Sequence, residues 1–140
     1  MLYLFFNNKQ MTKLELFIPQ NTPKPIGPYN HVCKAGNLIT IGGVAGVDSS
    51  TGNLAGDTVY LQAKQILNSF KVMLESAGSD LEHVVHINIF LKNMGDFDEL
   101  NKVYTEVMGS HLPARTVIGV NALPKPGVLL TMNLTAVTKE

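Results

Sequence analysis

The side chain with most to offer chemically is Arg115, in the run His111-Leu112-Pro113-Ala114-Arg115-Thr116-Val117-Ile118-Gly119-Val120. A helical pattern ends just before this run, and an apolar strand pattern starts inside it. Pro113 marks the break, because proline fixes its own φ and cannot donate to a ladder. A guanidinium does not lose its charge, and its planar fork of donors matches a carboxylate. Side chains alternate along a strand, so Arg115, Val117, Gly119 and Asn121 share one face. Thr131 and Asn133 form a polar row on a strand expected to lie beside it. A cation near small polar groups suits a small anionic ligand. The plainer reading of Arg115 is a strand-end cation that snorkels into water.

Other chemistry-bearing residues are sparser. Asn101 stands one turn into a helical pattern, amid apolar neighbours, with an amide able to orient a loop or a ligand. Gly42-Gly43-Val44-Ala45-Gly46 lacks the Gly-Lys-Ser/Thr ending of a phosphate loop and the GxGxxG spacing, so it reads as a strand-end bend or bulge. The histidines are His31, His83, His86 and His111. Read on one strand, His83 and His86 point to opposite faces, and no HExxH spacing exists, so no metal site is expected. No serine stands in a GxSxG context. Cys33 is the single cysteine and sits in a strand-like stretch, which reads as a small buried hydrophobe.

These residues need elements to position them. Leu14 to Ile18, Asn30 to Lys34 and Leu38 to Val44 read as strands, the last two joined by Ala35-Gly36-Asn37 as a hairpin. Pro23, Pro25, Gly27 and Pro28 form the loop that leads to Tyr29, and its three prolines stiffen it. Asp57 is the expected N-cap of a first helix whose buried stripe is Val59, Ala63, Ile66, Leu67, Phe70, Met73, Leu74 and Ala77, with Gly78 as its stop. Val85, Ile87, Ile89 and Leu91 alternate with His86, Asn88 and Phe90 as a strand. Phe97, Leu100, Val103, Tyr104 and Met108 stripe a second helix that ends at Gly109. Thr116, Ile118 and Val120 alternate, and Leu130, Met132, Leu134 and Ala136 make the last strand. The order β-β-β-α-β-α-β-β gives one mixed sheet with both helices on one face, its other face left for another subunit to cover.

The 140 residues fit one domain over 12–140, with 1–11 read as an N-terminal extension. Hydrophobic residues make up 45% and charged residues only 16%, which favours an oligomer. Lys+Arg and Asp+Glu are each 11, with no basic run, which argues against a nucleic-acid partner. No stretch approaches a membrane span, and the first ten residues lack the basic start and cleavage site of a signal peptide, so a cytoplasmic protein is expected.

Ile26-Gly27-Pro28-Tyr29, Ala77-Gly78, Phe97 with Asn101 and Tyr104, Pro113-Ala114-Arg115 and Leu123-Pro124-Lys125 stand in an order and at separations that resemble the RidA/YjgF family, also labelled endoribonuclease L-PSP. The resemblance covers residues 22–138. It implies an α+β, chorismate-mutase-like fold, assembled as a homotrimer with ligand clefts between subunits, and Arg115 of one subunit is expected to face Tyr29 or Asn101 of its neighbour. It also implies a cofactor-free deaminase that hydrolyses 2-imino acids, of the 2-iminobutanoate/2-iminopropanoate type, to 2-keto acids and ammonia. In that pattern Arg115 grips the substrate carboxylate, Tyr29, Gly43 and Asn101 line the cleft, and Val117 contributes its backbone near the imine nitrogen. Where family deaminases commonly carry a water-positioning glutamate, this chain has Thr131. Threonine can hydrogen-bond water but is no general base near neutral pH. A non-catalytic trimer that binds small carboxylates is therefore the alternative. The ribonuclease label fits the neutral charge poorly.

Overall fold

The computed structural model of the chain describes residues 11–140, so the N-terminal extension expected at 1–11 lies almost wholly outside the described residues. Six strands and two helices follow in the order β1 (Leu14–Phe17), β2 (Val32–Ala35), β3 (Leu38–Ala45), α1 (Val59–Ser76), β4 (Val84–Leu91), α2 (Phe97–Met108), β5 (Ala114–Gly119) and β6 (Leu130–Val137). Short 3-10 turns at Leu81–His83 and Met94–Asp96 precede β4 and α2. The strands form one mixed sheet in the order β1-β2-β3-β6-β4-β5. Only β4 and β5 run parallel, because α2 carries the chain back between them.

The sheet is sided as its alternation requires. Ile39, Ile41, Ile87, Ile89, Leu130, Met132, Leu134 and Ala136 are buried with the α1 stripe, from Val59 through Phe70 to Ala77. The other face carries Thr40, Thr135, His86, Asn88, Asn133 and Thr131, with Leu16, Leu38 and Ile118 exposed among them. Asn88 Nδ2 donates to Asn133 Oδ1 at 2.9 Å, and His86 Nε2 lies 3.2 Å from Thr116 Oγ1. This is the one-sided α+β sheet expected from the sequence.

Four boundaries move. Thr58, not Asp57, caps α1: its backbone is extended and its Oγ1 accepts from Leu61 N at 3.2 Å, while Asp57 lies outside the helix. β2 starts at Val32 rather than Asn30. In β4 it is Val84 that is buried, and Val85 is exposed. The pairing with β6 shifts between Val84 and His86, and such an irregularity reverses the side chains on one side of it. His83 belongs to the turn before β4, where its Nδ1 lies 2.6 Å from Asp80 Oδ1. The glycine run in β3 is the bulge expected: pairing with β6 is interrupted between Ile41 and Val44.

Candidate active site

The residues singled out from sequence fall into two groups on opposite faces of the sheet. The first is built around Arg115. Arg115 pairs with Ile87 and Val117 with Ile89, so both side chains point to the helix side of the edge strand β5. There the Arg115 guanidinium meets α2. Its Nη2 donates to Asn101 Oδ1 at 2.8 Å. Its carbon lies 4.7 Å from the centre of the Tyr104 ring and 5.8 Å from that of Phe97. Both distances are within the range of cation–π attraction. No carboxylate pairs with Arg115 among the described residues. One neutral acceptor and two ring faces hold the guanidinium without cancelling its charge, and its remaining donors stay available to an anion. A shallow groove beside it is lined by Asn101, Tyr104, Thr105, Leu112, Pro113 and Arg115.

Tyr104 is buried, and its hydroxyl has no hydrogen-bond partner. Burial pushes the phenol's pKa up, and the nearby Arg115 charge opposes that only in part. Val117 packs against the core, so its backbone, not its side chain, is what β5 offers at this edge. Gly119 shares the Arg115 face for a packing reason: a Cβ there would stand 3.0 Å from Met94 Cγ.

The second group surrounds a cavity of about 490 Å3 whose walls include Tyr29, His31, Gly43 and Thr131. Tyr29 is held by its own loop: its hydroxyl accepts from Ile26 N at 3.3 Å, and its ring meets His31 edge-on at 6.0 Å. His31 is buried, with Nε2 2.5 Å from the Pro23 carbonyl oxygen. A carbonyl only accepts, so Nε2 donates, and Nδ1 has no partner. Gly43 faces open space: a Cβ there would meet nothing within 4 Å. Thr131 pairs with Ala45 on one side and Phe90 on the other, on the face away from the helices.

Two expectations are thereby corrected. Thr131 and Asn133 are not beside Arg115, because β4 lies between β5 and β6 and the side chains leave opposite faces. Asn101 does not meet Arg115 across an interface; the two are bonded within one chain. Within a chain, Arg115 and Asn101 are together, and Tyr29, Gly43 and Thr131 are together. The helical spacing that marked Phe97 and Tyr104 as core hid their contact with Arg115. Gln62 was also missed. It is fully buried in α1, donates to Gly56 O at 2.9 Å and Gly127 O at 3.0 Å, and accepts from Leu129 N at 2.9 Å. It fixes the turn that walls the cavity, and its polar type amid an apolar stripe was the available signal.

The fold and the arginine-centred groove define a class of small α+β proteins with an unpaired cationic clamp at a sheet edge. The comparisons give the family of the chain. The family model described as Endoribonuclease L-PSP matches residues 19–138. A RutC family protein of Pyrococcus horikoshii is 40% identical over 111 residues, which is 79% of this chain and 88% of the relative. A 2-iminobutanoate/2-iminopropanoate deaminase of Dermatophagoides farinae is 35% identical over 103 residues, 74% of this chain and 80% of that protein. The crystal structure of RidA from the Antarctic bacterium Psychrobacter sp. PAMC 21119 superposes with a TM-score of 0.83 at 31% identity, covering 88% of this chain and 98% of that one. The chain belongs to the endoribonuclease L-PSP family, which is the RidA/YjgF family. No helix among the described residues is long and apolar enough to cross a membrane.

Proposed function

We propose that this protein is a cofactor-free deaminase that hydrolyses 2-imino acids of the 2-iminobutanoate/2-iminopropanoate type, and their enamine tautomers, to 2-keto acids and ammonia. The observation that carries this reading is the Arg115 guanidinium, seated on Tyr104 and Phe97, held by Asn101 and opposed by no carboxylate. Such a group binds a carboxylate in a fixed orientation, which leaves the adjacent imine carbon in a fixed place. The relatives named as a 2-iminobutanoate/2-iminopropanoate deaminase and as a reactive intermediate deaminase support the chemistry.

The two residue groups lie on opposite faces, so one ligand touches both only where two copies of the chain meet. We take the assembly to be a homotrimer, with Arg115, Asn101 and the Val117 backbone from one subunit facing Tyr29, Gly43 and Thr131 of the next. The uncovered sheet face, with Leu16, Leu38 and Ile118 exposed, supports burial against further copies. In the cleft, water oxygen adds to the iminium carbon. One of its protons passes to the nitrogen, the carbon–nitrogen bond breaks, and the remaining hydroxyl proton goes to the departing ammonia, which leaves as ammonium as the carbonyl forms. The Thr131 hydroxyl hydrogen-bonds the water without accepting its proton. The electrophilic iminium and its positioning supply the rate.

The test is release of ammonia and keto acid from an imino acid generated in place by an amino-acid oxidase. Hydrolysis above the spontaneous rate, lost in Arg115→Ala, is the expected result. Since no acidic residue lines either groove, a second reading has specific support: a trimer that binds 2-keto acids without turnover. Saturable, Arg115-dependent binding with no hydrolysis would establish it. Sedimentation that gives a monomer with ligand binding intact would refute the shared cleft.

A further inference from the structure

The cavity around Tyr29 and Thr131 carries a feature that imine hydrolysis does not require. Two of its walls are lysines, Lys24 and Lys125, and no Asp or Glu lines it. Neither lysine is in an ion pair among the described residues. Both stand between prolines, as Pro23-Lys24-Pro25 and Pro124-Lys125-Pro126. A proline fixes its own φ and restricts the residue before it to extended conformations, so each lysine rises from a stiffened backbone.

Each segment is also anchored by one buried polar side chain: His31 Nε2 donates to the Pro23 carbonyl, and Gln62 Nε2 donates to the Gly127 carbonyl beyond Pro126. Lys125 is half-buried. Lys24 is exposed, and two cationic side chains lining one cavity with no acidic neighbour favour an anion. Thr131 leaves that charge unbalanced where a carboxylate would offset it.

We infer that the favoured substrates carry a second carboxylate on the side chain, so that they are 2-imino dicarboxylic acids. Arg115 of one subunit takes the α-carboxylate, and Lys24 and Lys125 of the next take the distal one. This rests on the shared-cleft reading above. The stiff Pro-Lys-Pro segments reduce the ordering cost of binding, because the backbones that bear the lysines are already set.

The experiment is calorimetric titration of the full chain with 2-oxoglutarate and with 2-oxopentanoate, which has the same carbon chain without the distal carboxylate. The expected result is about tenfold tighter binding of 2-oxoglutarate at low salt, with the preference shrinking as screening rises. In the double variant Lys24→Gln/Lys125→Gln the preference disappears, while 2-oxopentanoate binds as before. The double variant Lys64→Gln/Lys71→Gln, on the exposed face of α1 and outside the cavity lining, leaves the preference intact and controls for the loss of two charges. Equal affinity for the two acids in the wild type, or a preference that survives the double variant, overturns the inference and leaves the deaminase reading standing. Binding of either acid that ignores Arg115→Ala overturns both. Displacement of bound 2-oxoglutarate by a short single-stranded RNA overturns the dicarboxylate assignment in favour of a phosphate backbone.

Discussion

The Arg115 guanidinium lies against the face of the Tyr104 ring, 4.7 Å from its centre, while the Tyr104 hydroxyl itself is buried without a partner. The ring and the hydroxyl therefore do different things. The ring supports the cation; the hydroxyl contributes no hydrogen bond.

This separates two substitutions. Tyr104→Phe keeps the ring and removes an unpaired polar atom, so stability and 2-keto acid affinity should hold or rise slightly. Tyr104→Leu keeps much of the apolar bulk and removes the π face. A cation–π contact is worth about 0.5–2 kcal/mol, so 2-oxobutanoate affinity should fall roughly 2- to 30-fold. Titration of both variants checks this. Equal losses in the two would show that the hydroxyl, not the ring, is what matters.

Glycines three residues apart should behave oppositely. A Cβ at Gly46 would stand 2.5 Å from Gln62 O in the backbone of α1, whereas one at Gly43 meets nothing within 4 Å. Gly46→Ala forces the helix away from β3 and should cost about 1–3 kcal/mol or more in urea unfolding. Gly43→Ala should change stability by less than about 0.5 kcal/mol and instead narrow the cavity, weakening 2-keto acid binding by roughly tenfold.

Much of the frame was legible in the sequence because it rests on period. The α1 stripe from Val59 to Ala77 and the alternation from Leu130 to Ala136 follow directly from burial on one side. The Val84/Val85 slip was not legible, since an irregularity in pairing leaves no mark on an apolar pair. Nor was the placement of β6 between β3 and β4, which sets Thr131 away from Arg115; strand order depends on long-range pairing that periodicity does not encode. Arg115 itself was visible because a cation at the start of an apolar strand needs a reason. Its seat on Phe97 and Tyr104 was not, because a ring that covers a core and a ring that carries a guanidinium have the same helical spacing.

Asp80 links the end of α1 to the chain's last residues. Its carboxylate lies 2.6 Å from His83 Nδ1 and 3.5 Å from Lys139 Nζ. The hydrogen bond from His83 chiefly lowers its pKa, with Lys139 adding to the effect. A carboxylate whose folded pKa is depressed contributes stability above its unfolded pKa, near 3.9, and loses it as pH falls through the folded value. Asp80→Asn should therefore be less stable than the wild type at pH about 5.5, with the gap closing as pH drops below about 4. Urea melts at the two pH values test this; a gap that widens in acid would reverse the assignment.

Gln62 offers the sharpest test of how α1 shapes the cavity. It is fully buried, and its amide serves three backbone groups, Gly56 O, Gly127 O and Leu129 N. Gln62→Leu preserves approximate size but leaves all three without that partner. Each loss of a partly buried partner costs on the order of 1 kcal/mol, so global stability should fall by about 2–4 kcal/mol. The local consequence is more telling. The turn from Pro124 to Leu129 loses two of its tethers, and Lys125 and Val128 in the cavity wall move with it. Hydrogen exchange at the Leu129 amide should accelerate well beyond the change in amides of β4, and 2-keto acid affinity should drop even at temperatures where the variant is fully folded. Uniform acceleration across both regions would mean that Gln62 supports the core alone and leaves the cavity wall to hold itself.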